Sequence, residues 1–159
     1  MRIGLGYDVH AFSPERPLIL GGVTIPHTQG LLGHSDADVV AHALADAVLG
    51  ALREGDIGKL FPDTDSRFKG ADSMVLLAQV GELMRSRGFE LVDADCVIAA
   101  QAPKLSPFRD EMRHNLAQAL CVDDERIGLK ATTTEKLGFE GRKEGMSAQA
   151  VVLLKHSEL

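Results

Sequence analysis

HSDADVVAHALADAVLGAL, residues 34–52, is the stretch whose reading decides the fold. From Asp36 to Leu52 the apolar residues Val40, Leu44, Val48 and Leu52, joined by Leu49, recur at three- and four-residue steps, which predicts an amphipathic helix. Ser35 or Asp36 is placed to cap it. His42 interrupts the core-facing stripe where an aliphatic residue would pack better, and Asp38 and Asp46 lie one turn to either side on the same face.

Upstream, residues 2–10 read as a strand, and Pro14, Pro17, Gly21 and Gly22 punctuate a short β-ribbon over 18–20 and 23–25. Downstream, residues 53–71 show no period and read as a long loop, a type that is usually functional or mobile. A helix over 73–87, a strand over 89–101, a helix over 107–120 and a strand over 126–133 follow. A glycine-rich loop over 137–146 then leads to a closing strand at 147–155. In that last strand the run Val151-Val152-Leu153-Leu154 predicts burial on both faces. The order predicts an α/β sandwich, a mixed sheet with helices packed on one side plus the ribbon.

A chain of 159 residues, 45% of them hydrophobic, can bury one sizeable core, so one domain over 1–159 is expected. The opening residues lack a basic segment followed by an apolar stretch, and no run of 18 apolar residues occurs. A cytoplasmic protein without a membrane partner is expected. Cys96 and Cys121 have no metal-binding spacing and are both read as core residues. The net charge of −6 and the absence of a long single-sign block argue against nucleic-acid binding. Any polyanionic substrate would have to be drawn in locally, by metal ions, basic side chains or helix N-termini.

Asp8 and His10, two apart on a strand, project from one face about 7 Å apart along the backbone, a spacing that suits chelation. With His42 they make two imidazoles and one carboxylate, leaving a fourth tetrahedral position open as in catalytic zinc sites. Asp38 or Asp46 would then orient His42 from behind. The competing reading is a capped strand end and a helix histidine bonded to Asp38 or Asp46. His34-Ser35 stands where a helix N-terminus favours phosphate, or Ser35 merely caps. Thr132-Thr133-Thr134-Glu135-Lys136, at a strand end, offers hydroxyls, a hard carboxylate and an ammonium, the ligand types of diphosphate and magnesium; β-propensity alone also explains the threonines. Arg142 could grip phosphate or form a surface salt bridge. Asp56, Gly58, Asp63 and Asp65 could bind sugar hydroxyls or be solvated loop residues. Ala100 to Ser106 ends a strand in small residues, Pro103 and Lys104, so its backbone can approach a flat ligand.

The segments GYDVHAF, HSDADV, GDIGKLFPDTD, FKGADS, AQAPK, KATTTEKLGF and EGMSAQAV, in this order, closely resemble the 2-C-methyl-D-erythritol 2,4-cyclodiphosphate synthases. The resemblance spans essentially the whole chain. It implies a divalent metal, usually zinc, on Asp8, His10 and His42, and a second metal, magnesium or manganese, on Glu135 and the substrate diphosphate. It implies transition-state stabilisation by His34 and Thr133. Ser35, Asp56, Ile57, Gly58, Phe61, Pro62, Asp63, Thr64 and Asp65 would hold the methylerythritol phosphate. Ala100, Gln101, Ala102, Pro103, Lys104, Leu105 and Ser106 would form the cytidine pocket, with Thr132, Thr134, Phe139 and Arg142 near the phosphates. It further implies a homotrimer with active sites between subunits, and a cyclisation that expels CMP. Two rival activities use the same residues: a metal-dependent phosphohydrolase, and a non-catalytic trimer that binds nucleotide or isoprenoid diphosphate.

Overall fold

The computed structural model describes residues 1–158. Strand β1 (Arg2–Ser13) is followed by the ribbon strands β2 (Leu18–Leu20) and β3 (Val23–Ile25), the two-residue strand β4 (Gly30–Leu31) and helix α1 (Val39–Leu52). Then come the short helix α2 (Ile57–Leu60), helix α3 (Ser73–Ser86), strand β5 (Phe89–Ala99) and helix α4 (Arg109–Leu120). Strand β6 (Ile127–Thr132), a single turn α5 (Gly138–Gly141) and strand β7 (Gly145–His156) complete the order. Five strands form one mixed sheet, β4-β1-β7-β5-β6, in which only β5 and β6 run parallel. Among the described residues no helix is long and apolar enough to cross a membrane.

Side-chain alternation decides which face of the sheet the helices cover. On β1 the even positions Gly4 and Gly6 are buried under α1, while Ile3, Leu5 and Tyr7 are more than half exposed on the other face. The contact is unusually close: a Cβ on Gly4 or Gly6 would stand 1.8 Å from the carbonyl oxygen of Ala47 or Ala43. Only glycine lets the helix backbone settle on the strand. Alanines at 43, 47 and 51 complete the seam from the helix side, all of them buried. Leu44, Leu49, Leu77, Met84, Ile98, Met112 and Leu116 fill the space between the helices and the sheet.

The structure corrects several expectations. Helix α1 begins at Val39, and Asp38 rather than Ser35 or Asp36 is its cap, accepting the Ala41 N–H at 3.1 Å. The same carboxylate accepts the Gly21 and Gly22 N–H groups at 2.9 and 2.8 Å, so one buried side chain ties the ribbon to the helix. Burial, and then the charge of Asp36, push its carboxyl above the ordinary aspartate range, and the three amide donors pull it part of the way back. The segment 53–71 is not without structure: α2 and a 3₁₀ turn at Ser66–Phe68 are capped by Asp56 and Asp65. The loop 137–146 likewise contains α5. Val152 and Leu154 are buried but Val151 is exposed, because helices cover only one face of β7. Cys96 is in the core, whereas Cys121 is exposed at the left-handed end of α4.

The glycine seam gives a sharp contrast between two substitutions. Gly6→Ala should cost at least the ~1–3 kcal/mol of an overpacked core, because backbone must move. Gly50→Ala, whose new methyl would meet nothing nearer than the Leu5 carbonyl at 3.8 Å, should instead stabilise by about 0.5–1 kcal/mol through helix propensity. Thermal melts of both variants measure the difference, and equal melting shifts would contradict the seam.

Candidate metal centre and active site

Beyond Gly4 and Gly6 the same face of β1 continues with Asp8 and His10, and the helix resting on the glycines delivers His42 to them. The three donor atoms converge. Asp8 Oδ2 lies 2.9 Å from His10 Nε2 and 3.1 Å from His42 Nδ1, and the two ring nitrogens are 3.2 Å apart. Ligands of a tetrahedral ion with bonds of about 2.0–2.1 Å stand roughly 3.3 Å from one another, so the spacing fits a zinc-sized ion.

Protonation supports the same conclusion. His10 Nδ1 is 2.8 Å from the Leu32 carbonyl, which only accepts, so Nδ1–H donates there and leaves Nε2 to face the centre. His42 Nε2 is 2.8 Å from Ser73 Oγ and 3.2 Å from Ser35 Oγ, on the side away from Asp8. The Asp8 carboxylate and His10 Nε2 thus face one point, on which His42 Nδ1 also converges. Burial disfavours the Asp8 carboxylate, but hydrogen bonds and attraction from His10 and His42 outweigh it and hold its pKa at about 2. Burial likewise acts against a cationic His10, and Asp8 overcomes it, raising His10 above its ordinary value.

Behind His42 the arrangement differs from the expected one. Asp38 and Asp46 do not orient it: Asp38 serves the ribbon, and Asp46 Oδ1 accepts the Ile57 N–H at 2.8 Å. Ser73 and Ser35 stand there instead. Arg16, in the turn after β1, donates to the carbonyls of Gly33 and Ser35, both at 2.5 Å, and so fixes the backbone around His34. Neither Ser73 nor Arg16 is visible in a local motif, because each acts across a chain separation that no periodicity encodes.

Next to His42 a cavity of about 60 Å³ is lined by His34, Ser35, Ile57, Gly58, Phe61, Asp63 and Phe68, so part of the expected sugar-phosphate set is brought together. Pro62 and Thr64 are not among its lining residues, and Asp56 and Asp65 cap local turns, Asp65 also pairing with Arg67 at 2.6 Å. A second cavity, of about 340 Å³, is formed by residues 100–106 against Ala131, Thr132 and Thr133. The Leu105 side chain is itself buried, so the segment offers mainly backbone and Lys104. Glu135 is exposed with φ +54°, and the Thr134 hydroxyl donates to the Leu137 carbonyl. Phe139 is partly buried on α5, and Arg142 forms the surface salt bridge, to Glu144 at 2.6 Å. The metal cluster and the second cavity lie at one end of the sheet, where His10 pairs with Met146 and Ala99 with Ser147 and Thr132, and the small cavity adjoins the cluster at His42. Between β1 and β6 lie three strand spacings, roughly 14 Å.

Residues 1–155 match the YgbB family. A curated relative from Desulfitobacterium hafniense, named 2-C-methyl-D-erythritol 2,4-cyclodiphosphate synthase, is 60% identical over 154 residues, 97% of this chain and 98% of that protein. The chain belongs to this synthase family. Among solved structures the bifunctional IspDF of Campylobacter jejuni superposes with a TM-score of 0.95 at 54% identity, covering 99% of this chain. This chain spans only 42% of that longer protein. The IspF of Plasmodium falciparum, solved as a CDP complex, gives a TM-score of 0.87 at 35% identity, covering 99% of this chain and 97% of that one. The chain thus has the synthase fold, and its Asp8, His10 and His42 form a candidate site for a divalent metal.

Proton competition gives the measurable consequence. Asp8 makes the neighbouring His10 in the metal-free chain keep its proton to a higher pH than a free imidazole does, so metal uptake must displace that proton. Zinc affinity, read by competition with a chromophoric chelator, should rise with pH by roughly tenfold per unit until His10 has titrated, then level off. His42→Ala should lose most of the bound metal while remaining folded. A flat pH profile, or full zinc content in that variant, would rule out this cluster.

Proposed function

We propose that this chain converts 4-diphosphocytidyl-2-C-methyl-D-erythritol 2-phosphate to 2-C-methyl-D-erythritol 2,4-cyclodiphosphate with release of CMP, acting over 1–159 as one domain in the cytoplasm. The observation that carries this reading is the coincidence, at one end of the sheet, of a three-donor cluster with two cavities of different chemistry. In this reading Asp8, His10 and His42 hold zinc, and Glu135 with the substrate diphosphate holds magnesium or manganese. Such metals, when bound, neutralise charge on phosphate oxygens.

The chain's own residues fold the substrate. The small cavity with Ser35, Gly58 and Asp63 takes the methylerythritol phosphate, and Asp56 and residues 61–65 close around it. The segment 100–106 takes cytidine, a role supported by the CDP in the Plasmodium falciparum relative. Thr132, Thr134, Phe139 and Arg142 flank the phosphates. His34 and Thr133 donate hydrogen bonds to phosphoryl oxygens as charge spreads over them. Held this way, the 2-phosphate attacks the β-phosphorus of the same molecule and CMP leaves in line, so the enzyme needs no nucleophile of its own. Binding both ends of one substrate can recover several kcal/mol of orientation entropy.

A single chain leaves β1, which carries two residues of the metal cluster, and β6, which borders the second cavity, three strand spacings or roughly 14 Å apart, and it leaves Ile3, Leu5, Tyr7, Val9 and Val151 exposed as one apolar strip. Both features support a homotrimer whose sites lie between subunits. Covering the strip removes it from water, and a neighbour's nucleotide segment can meet this chain's metal cluster.

Two measurements test the proposal. In ¹⁸O-labelled water, with phosphorus NMR as readout, the reaction should yield CMP and a coupled pair of cyclic diphosphate resonances without label at phosphorus. Label incorporation or a linear product would make this a hydrolase, and absence of turnover would leave only a binding protein. Light scattering should give three times 17.1 kDa, and a fully active monomer would contradict the shared site.

A further inference from the structure

We propose that Ser73 and Asp36 are positioning residues that fix the tautomer of His42 and so turn its Nδ1 lone pair toward Asp8 and His10, an inference that rests on reading those three as a metal site. Ser73 is the first residue of α3 and is 1% exposed. Its hydroxyl has a single proton, and two neighbours compete for it: an oxygen of the Asp36 carboxylate and His42 Nε2, the latter 2.8 Å away. A carboxylate accepts and cannot donate, so the serine proton goes to Asp36. The lone pair left on Ser73 Oγ then accepts a proton held by His42 Nε2. Ser35 Oγ, which already accepts the Ala37 N–H, adds a second and longer acceptor at 3.2 Å.

Asp36 cannot easily turn away from this task. Its other oxygen accepts the Ser73 N–H at 2.9 Å, its Oδ1 also accepts the Asp38 N–H at 3.1 Å, and its own N–H donates to the Ala71 carbonyl at 3.1 Å. The loop before α1 and the start of α3 are therefore locked together around one hydroxyl. With the proton on Nε2, a neutral His42 has Nδ1 bare, and Nδ1 is the atom 3.1 Å from Asp8 Oδ2 and 3.2 Å from His10 Nε2. The two imidazoles are thus set in complementary ways. His10 is fixed through Nδ1 by a backbone carbonyl, and His42 is fixed through Nε2 by a serine that a carboxylate holds in acceptor orientation. Outer partners of this kind fix ligand orientation and typically change metal affinity by 10–100-fold when removed.

Asp36→Asn is the most telling change because it leaves volume untouched. Its amide can present N–H to Ser73 Oγ, whereupon the serine proton turns to His42 Nε2 and the ring must carry its own proton on Nδ1, at the metal point. Ser73→Ala removes the acceptor outright. Two-bond ¹H–¹⁵N imidazole spectra of the full chain, stripped of metal and held at mildly alkaline pH, should show His42 as the Nε2–H tautomer in the wild type. They should show a mixed or Nδ1–H population in Asp36→Asn. Zinc affinity by chelator competition should fall 10- to 100-fold in both variants, with Asp36→Asn retaining a cooperative melt. Wild-type tautomer and zinc affinity within twofold in both variants would overturn the positioning role, even if His42→Ala still abolished zinc uptake. Zinc uptake unchanged in His42→Ala would overturn the metal reading itself.

Discussion

The distance between strand β1 and helix α1 is the constraint on which the rest of this molecule depends. Gly4 and Gly6 let the backbone of α1 lie against the strand, with the Ala43 and Ala47 carbonyls where side chains would otherwise stand. That contact determines where the next residues of each element go. Two positions beyond Gly6 the strand presents Asp8, then His10, and one residue before Ala43 the helix presents His42. Any side chain in the seam would lift the helix, and three ligand atoms now about 3 Å apart would separate. The site is therefore built by the absence of two methyl groups as much as by the presence of three ligands.

Around that seam, polar burial is used sparingly and for anchoring. Asp38 is enclosed, yet it caps α1 and fastens the ribbon through Gly21 and Gly22. Asp36 joins the loop before α1 to the start of α3, and Arg16 holds the loop on its other side. His34, Ser35 and His42 are consequently held from several directions, in a chain whose net charge of −6 repels anions at long range. Attraction for a phosphorylated substrate has to come from groups fixed within a few ångströms, and those anchors fix them.

Much of this was legible in the sequence, for physical reasons specific to each element. The ribbon at 18–20 and 23–25 was marked by glycine and proline, whose backbone preferences are local. Asp8 and His10 followed from a period of two, and His42 from its misfit in an aliphatic stripe. Ser35, Asp36 and Asp38 are all good capping residues, and which of them caps α1 depends on where Gly21 and Gly22 lie, a distance in the chain that local sequence does not encode. Ser73 and Arg16 act over separations of 31 and 17–19 residues, which no local pattern records. Residues 151–154 read as doubly buried because a run of four aliphatic residues looks alike whether one face of the strand is covered or both.

Strand β1 carries two messages in alternation. Its even residues, Gly4, Gly6, Asp8 and His10, address the helix and the candidate metal centre, and its odd residues, Ile3, Leu5, Tyr7 and Val9, form the apolar outer strip. A slip of one residue against β7 would exchange both messages at once: leucine and tyrosine would be driven into helix carbonyls, and the ligands would point away from the helices. Misalignment therefore fails on steric grounds before any ligand chemistry is tried, and the strand proofreads its own register. For the same reason insertion or deletion of one residue sends every side chain beyond it to the opposite face, whereas a substitution disturbs only its own position.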